Sequence, residues 1–133
     1  MSFAHPIRVY WEDTDAGGIV FYANYLKFME RARTEWLRSL GFAQTELASA
    51  HEVAFVVRAI ALQYLKPARF DDQLDVTVEI VDTGASLIGL AQRIRRGADE
   101  LVTADVDIAC VHTGAFKPAR IPGPILDAIG KMT

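Results

Sequence analysis

Three carboxylates, Glu12, Asp13 and Asp15, crowd the stretch just before Ala16, and a glycine pair, Gly17 and Gly18, follows at once. In an extended segment Asp13 and Asp15 face the same side. Two like charges that close repel one another unless backbone N–H donors occupy one of them. The spacing therefore predicts one Asp that holds the turn and one that is free to react. Adjacent glycines allow either backbone angles closed to other residues or a close approach that a side chain would block. An amphipathic stretch begins at Asn24, and a helix start presents unpaired N–H groups with a partial positive charge. A carboxylate set across from those groups, with an ester or thioester between, would supply a nucleophile or base on one side and an oxyanion site on the other. That is acyl transfer without Ser, His or Cys. An acid-rich turn before a helix also suits a cap or a solvated loop, and spacing alone leaves both readings open.

The elements that must position this turn follow from periodicity. Ile7, Val9 and Trp11 alternate with Arg8, Tyr10 and Glu12, which predicts a short strand from Ile7 to Glu12. From Asn24 to Leu40, apolar residues at Tyr25, Phe28, Met29, Ala32, Trp36, Leu37 and Leu40 make one helical stripe, and Gly41 is a stop signal. The charges between them read as a solvated face. A weaker helical stretch covers Thr45 to Ala50. Val53 to Leu65 is almost continuously apolar, as expected of a strand buried on both faces or paired across a subunit boundary. Further strands are predicted at Leu74 to Ile80, Ser86 to Arg95 and Glu100 to His112, with Arg96 to Asp99 as a hairpin connection. A helical turn or two surrounds Ile125 to Ile129. Strands joined by hairpins give an antiparallel sheet, and one long amphipathic helix needs a sheet face to bury its stripe. The expected class is α+β, a curved sheet wrapped around a central helix in a single domain spanning residues 1–133.

Composition narrows the chemistry. The chain has 133 residues, 51% of them apolar, and a net charge of −3, so no strong field gathers nucleic acid or an anionic membrane. Cys110 is the only cysteine, which excludes an internal disulfide and a thiolate metal cluster and fits the cytoplasm. No signal peptide or membrane-spanning run is expected. His5, His51 and His112 are scattered, and Asn24 stands where a calcium loop starting at Asp13 would need Glu, so no metal is expected. Asn24 is read as a helix cap or, second, as a residue that bonds within the site, Trp11 and Trp36 as core residues, and Cys110 as a small buried hydrophobe. Trp11 also stands close enough to the turn to wall off an acyl group.

The stretch EDTDAGGIVFYANYLKFMERARTEWL resembles the signature of the 4-hydroxybenzoyl-CoA thioesterase family of hotdog-fold enzymes, especially its branch associated with the Tol-Pal envelope system. AFVVRAIALQYLKPARFDDQLDV is similar to the second and third strands of that branch. The resemblance implies a hotdog fold: a five-stranded antiparallel sheet around a long helix, subunits pairing through the second strand, and sites at their boundary. It implies Asp15 as the catalytic carboxylate, the backbone N–H of Tyr22 as the polarising group, and no cofactor beyond the coenzyme A of the substrate. The branch commonly carries Tyr where this chain has Trp11 and His where it has Tyr22, while members acting on aromatic acyl-CoA also carry Tyr at the second position. The aromatic-acyl enzyme has a basic cluster where this chain has Thr83-Gly84-Ala85-Ser86, which leaves phosphate recognition to Lys66, Arg69 or Arg93.

The resulting expectation is a cytoplasmic thioesterase acting on short-chain or aromatic acyl-CoA. Asp15 attacks the carbonyl or activates water, Asp13 braces the turn, and Trp11, Gly17, Gly18, Asn24, Lys66 and Arg69 contact substrate. A homodimer is expected, with a homotetramer as a further arrangement. The alternative is a non-catalytic binder of acyl-CoA or acyl carrier protein serving the envelope system, its basic patch formed by Arg58, Lys66, Arg69 and Arg93.

Overall fold

The computed structural model describes residues 3–132. Its sheet holds five strands: β1 (Phe3–Arg8), β2 (Val53–Tyr64), β3 (Gln73–Thr83), β4 (Leu87–Arg96) and β5 (Asp99–His112). Their spatial order is β1-β3-β4-β5-β2, and every neighbouring pair is antiparallel. Against the sheet lies α1 (Asn24–Ser39); α2 (Gln44–Ala50) and α3 (Gly123–Met132) are the shorter helices.

The buried stripe of α1 consists of Tyr25, Phe28, Met29, Ala32, Trp36 and Leu37, as the spacing predicts, with Asn24 at its head. At about 1.5–3 kcal/mol for each large apolar side chain taken from water, this face is a major block of the core. The helix stops where Gly41 adopts φ +97°, with Gly41 N–H donating to Arg38 O and Phe42 N–H to Leu37 O. This paired closure satisfies the last carbonyls and favours glycine at the left-handed position. On the sheet side Val102, Ala104, Val106, Ile108 and Cys110 of β5 face inward together. Burial pushes the Cys110 thiol above its ordinary range.

One polar tie crosses this core. Gln92 of β4 is fully buried; its side-chain amide donates to Met29 O at 3.2 Å and Thr77 O at 3.3 Å, and its carbonyl accepts from Arg33 at 2.9 Å. Burial pulls the Arg33 guanidinium below its ordinary range, opposed by the charge of Glu30. Gln92→Leu strands these partners and is expected to cost about 1–3 kcal/mol of stability, read as a lower urea midpoint at unchanged slope.

The first strand departs from the expectation. It runs over Phe3–Arg8, and Trp11–Asp13 is a single 3-10 turn rather than the end of a strand. Asp13 causes the difference. Its carboxylate accepts the Tyr10 N–H at 2.8 Å while its own N–H returns to Tyr10 O at 3.0 Å, a local bond pattern that competes with the sheet ladder. Trp11 is thereby turned out, 74% exposed and edge-on to Phe70 at 4.9 Å, whereas Trp36 is core. The long apolar β2 is not covered on both faces. Among the described residues it pairs with β5 alone, carries an irregularity between Val57 and Ala59, and lies at the sheet edge with Val56 and Val57 exposed.

Candidate active site

The acidic turn is a small antiparallel hairpin in which Thr14 stands opposite Val20, Asp15 N–H donates to Ile19 O at 2.9 Å, and Phe21 N–H donates to Asp13 O at 2.9 Å. The two aspartates do different work within it. Asp13 is buried, with one carboxylate oxygen accepting the Tyr10 N–H and the other accepting the Asn24 side-chain amide at 2.7 Å. It therefore ties the end of β1 to the start of α1. Of the two roles expected of Asn24, the cap is not made, since the N-cap is Ala23 with no side-chain cap, and the bond within the site is, since the Asn24 amide is committed to Asp13.

Asp15 is exposed, so the two carboxylates do not share a side as an extended chain would have them; the 3-10 turn ending at Asp13 rotates one inward. Asp15 Oδ1 accepts the Gly17 N–H at 2.8 Å, and its backbone oxygen accepts the Gly18 N–H at 3.1 Å. Each glycine has its own reason. Gly18 sits at φ +79°, and a Cβ on Gly17 would stand 3.2 Å from Asp15 Oδ1, tighter than normal packing. Both the sharp bend and the close approach anticipated from the sequence are present.

Tyr22 follows the hairpin and precedes the first helical residue by two positions. The peptide carrying its N–H has its carbonyl, Phe21 O, turned to the Asn24 N–H at 2.8 Å. Trans peptide geometry then points the Tyr22 N–H the opposite way, where it has no acceptor among the described residues. A carbonyl oxygen brought to that donor would be polarised. Ile19, Val20, Tyr22, Tyr25, Tyr64 and Lys66 help to line an adjoining cavity of about 290 Å³. Burial raises the Tyr25 phenol, partly opposed by the Ala68 N–H that it accepts at 3.0 Å. A larger cleft of about 420 Å³, along Gln63, Arg93 and Thr103, includes neither Asp15 nor Tyr22.

The basic residues divide by partner. Lys66 pairs with Asp99 at 3.3 Å and Arg93 with Glu100 at 3.6 Å, whereas no carboxylate lies within 4.0 Å of the Arg69 guanidinium among the described residues. Arg69 also bridges Ile19 through the backbone, which sets it at the exit of the glycine turn. Burial would raise the Asp72 carboxyl, but the Arg69 N–H at 2.9 Å and the Arg96 side chain at 2.8 Å outweigh it and hold the group below its ordinary range. A depressed carboxyl stabilises the fold above its unfolded pKa and ceases to do so as pH falls through the folded value. The melting-temperature gap between wild type and Asp72→Asn should thus narrow as pH drops below about 4.

The sequence places Tyr25 in the helical stripe and Tyr64 in the long apolar strand, but gives neither a role in the site. Tyr64 ends β2 and donates its hydroxyl to Tyr22 O at 3.1 Å, and Tyr25 packs against it at 5.6 Å. The sequence signal for such a role is weak: an aromatic with a polar tip ending a run of aliphatic residues, and a tyrosine three positions after Tyr22.

Residues 17–103 match the family model described as the thioesterase superfamily. The acyl-CoA thioesterase YbgC of Haemophilus influenzae is 46% identical over 121 residues, which are 91% of this chain and 89% of that protein. The crystal structure of a probable thioesterase from Bartonella henselae superposes with a TM-score of 0.88 at 38% identity, covering 92% of this chain and 100% of that one. Slr0204, a 1,4-dihydroxy-2-naphthoyl-CoA thioesterase from Synechocystis, gives 0.90 at 25% identity over 99% and 98%. The helix-on-sheet architecture is the hotdog fold of these proteins, and the chain belongs to the thioesterase superfamily.

Proposed function

We propose that the protein hydrolyses the thioester bond of acyl-CoA, with the Asp15 carboxylate as the reacting group and the Tyr22 N–H as the oxyanion donor. The observation that carries this reading is their pairing in one hairpin-and-helix unit. Asp15 is exposed with Oδ1 held by Gly17, and the Tyr22 N–H has no acceptor among the described residues. The thioester oxygen accepts from Tyr22 while Asp15 either attacks the carbonyl carbon or takes a proton from attacking water. In the first route coenzyme A is displaced to leave an Asp15–acyl anhydride, which water then cleaves to return the carboxylate and release the acid. In the second, water adds directly. In both the C–S bond breaks, coenzyme A leaves as the thiol and one water is consumed.

The aromatic lining of the adjoining cavity, and the naphthoyl substrate in the name of the Synechocystis relative, support short or aromatic acyl groups. Trp11 with Phe70 forms an exposed wall after β1, and Arg69, beside the glycine turn with no carboxylate within 4.0 Å among the described residues, supports a contact with a coenzyme A phosphate. The cytoplasm is the proposed compartment. Thiol release from a panel of aliphatic and aryl acyl-CoA esters tests the reading, and turnover of at least one is expected. Binding without turnover on every member would favour the non-catalytic partner of acyl-CoA or acyl carrier protein.

A second copy is proposed to pair along β2. A long apolar strand with one unpaired side is a template for another chain, and Val57 there is 46% exposed. Sedimentation should give at least twice the 14.7 kDa chain mass; a stable monomer would count against a site completed at the subunit boundary. Gly17→Ala crowds Asp15 Oδ1 and is expected to lower kcat about ten-fold with little change in melting temperature.

A further inference from the structure

We propose that Tyr64 is a positioning residue for the oxyanion-binding amide, its hydroxyl fixing the Tyr22 backbone from the end of the edge strand. This rests on the reading of the Tyr22 N–H as the oxyanion donor. Tyr22 lies outside α1, so the helix ladder does not fix it, and the N-cap Ala23 has no side-chain cap. What holds the residue is therefore a question about its two flanking peptides. The upstream peptide is pinned by Asn24 N–H donating to Phe21 O at 2.8 Å. The downstream one carries Tyr22 O, which receives no helical N–H; the Leu26 N–H that could have reached it donates to Ala23 O instead, at 3.2 Å. Its partner among the described residues is the Tyr64 hydroxyl at 3.1 Å. Removing that bond frees one side of Tyr22 to rotate, and the orientation of its N–H loosens with it.

Tyr64 is half exposed, and its place is set by the strand and by two ring contacts. It is the last residue of β2, in register with Val102 of β5, and its ring lies edge-on to Tyr22 at 6.4 Å and against Tyr25 at 5.6 Å. Tyr25 is buried, and its hydroxyl accepts the Ala68 N–H. The amide at the start of α1 is thus referenced to the sheet edge by a route that bypasses the helix. A donor that must meet a developing charge gains from such pre-set orientation, because it does not reorganise at the moment of reaction.

Tyr64→Phe keeps the ring and removes only the hydroxyl. With the best acyl-CoA of the panel, kcat is expected to fall about ten-fold with KM within about two-fold, the pattern of an interaction made only in the transition state. A trifluoromethyl ketone analogue, which forms a tetrahedral oxyanion, should lose affinity by the same factor, while an S-alkyl coenzyme A thioether without a carbonyl binds as to wild type. Unchanged kcat, or equal weakening of both analogues, would overturn the proposal. Asp15→Asn run alongside separates the two levels: if it is inactive while Tyr64→Phe matches wild type, only the role of Tyr64 falls. If Asp15→Asn matches wild type, the site reading falls and the role of Tyr64 with it.

Discussion

Asp15→Asn should lower kcat on the best acyl-CoA by about 10²–10⁴-fold, the range for loss of a positioned acid–base group, while leaving the fold intact. The side chain is exposed and, among the described residues, makes one hydrogen bond, from the Gly17 N–H to Oδ1, which an amide oxygen still accepts. A surface change of this kind alters stability by no more than about 0.5 kcal/mol. What the variant loses is the second oxygen as an anion, and with it both routes open to the carboxylate. Wild-type turnover from Asp15→Asn, measured by thiol release, would remove Asp15 from the chemistry.

Asp13→Ala should act on the other side of the ledger, through stability. Asp13 is 4% exposed, and its two oxygens satisfy the Tyr10 N–H and the Asn24 amide. Truncation leaves both donors without their acceptor, at about 1–3 kcal/mol each where water cannot replace it. Against a total of about 5–15 kcal/mol for an ordinary domain that is a large share. The expected result is a clear fall in the denaturant midpoint, with activity lost in parallel. A midpoint equal to wild type would show that Asp13 does not brace the junction.

Where periodicity carried the information, sequence and structure agree closely. The α1 stripe, the Gly41 stop, the alternation in β3 and β5 and the Gly97-Ala98 hairpin all lie where the pattern puts them, because burial and turn chemistry act locally. That Asp13 and Asp15 stand in different surroundings was also readable, since two nearby carboxylates repel one another unless donors occupy one of them. The failures share a cause. The end of β1, the outward Trp11 and the missing Asn24 cap all depend on Asp13, whose side chain closes a turn and reaches eleven residues ahead to α1. No pattern in the chain reports that contact. The Tyr64 to Tyr22 bond spans forty-two residues and is equally silent in the sequence. The strand order, with β2 displaced to the edge beyond β5, is likewise set by long-range pairing.

The proposed chemistry comes down to where a thioester carbonyl sits. A crystal structure of Asp15→Asn with an unhydrolysed acyl-CoA from the panel is the direct measurement. The expected density places the carbonyl oxygen about 3 Å from the Tyr22 N–H, with the residue 15 side chain facing the carbonyl carbon from the other side. A thioester bound with its oxygen turned from Tyr22, or seated in the outer cleft along Arg93 and Thr103, would contradict it.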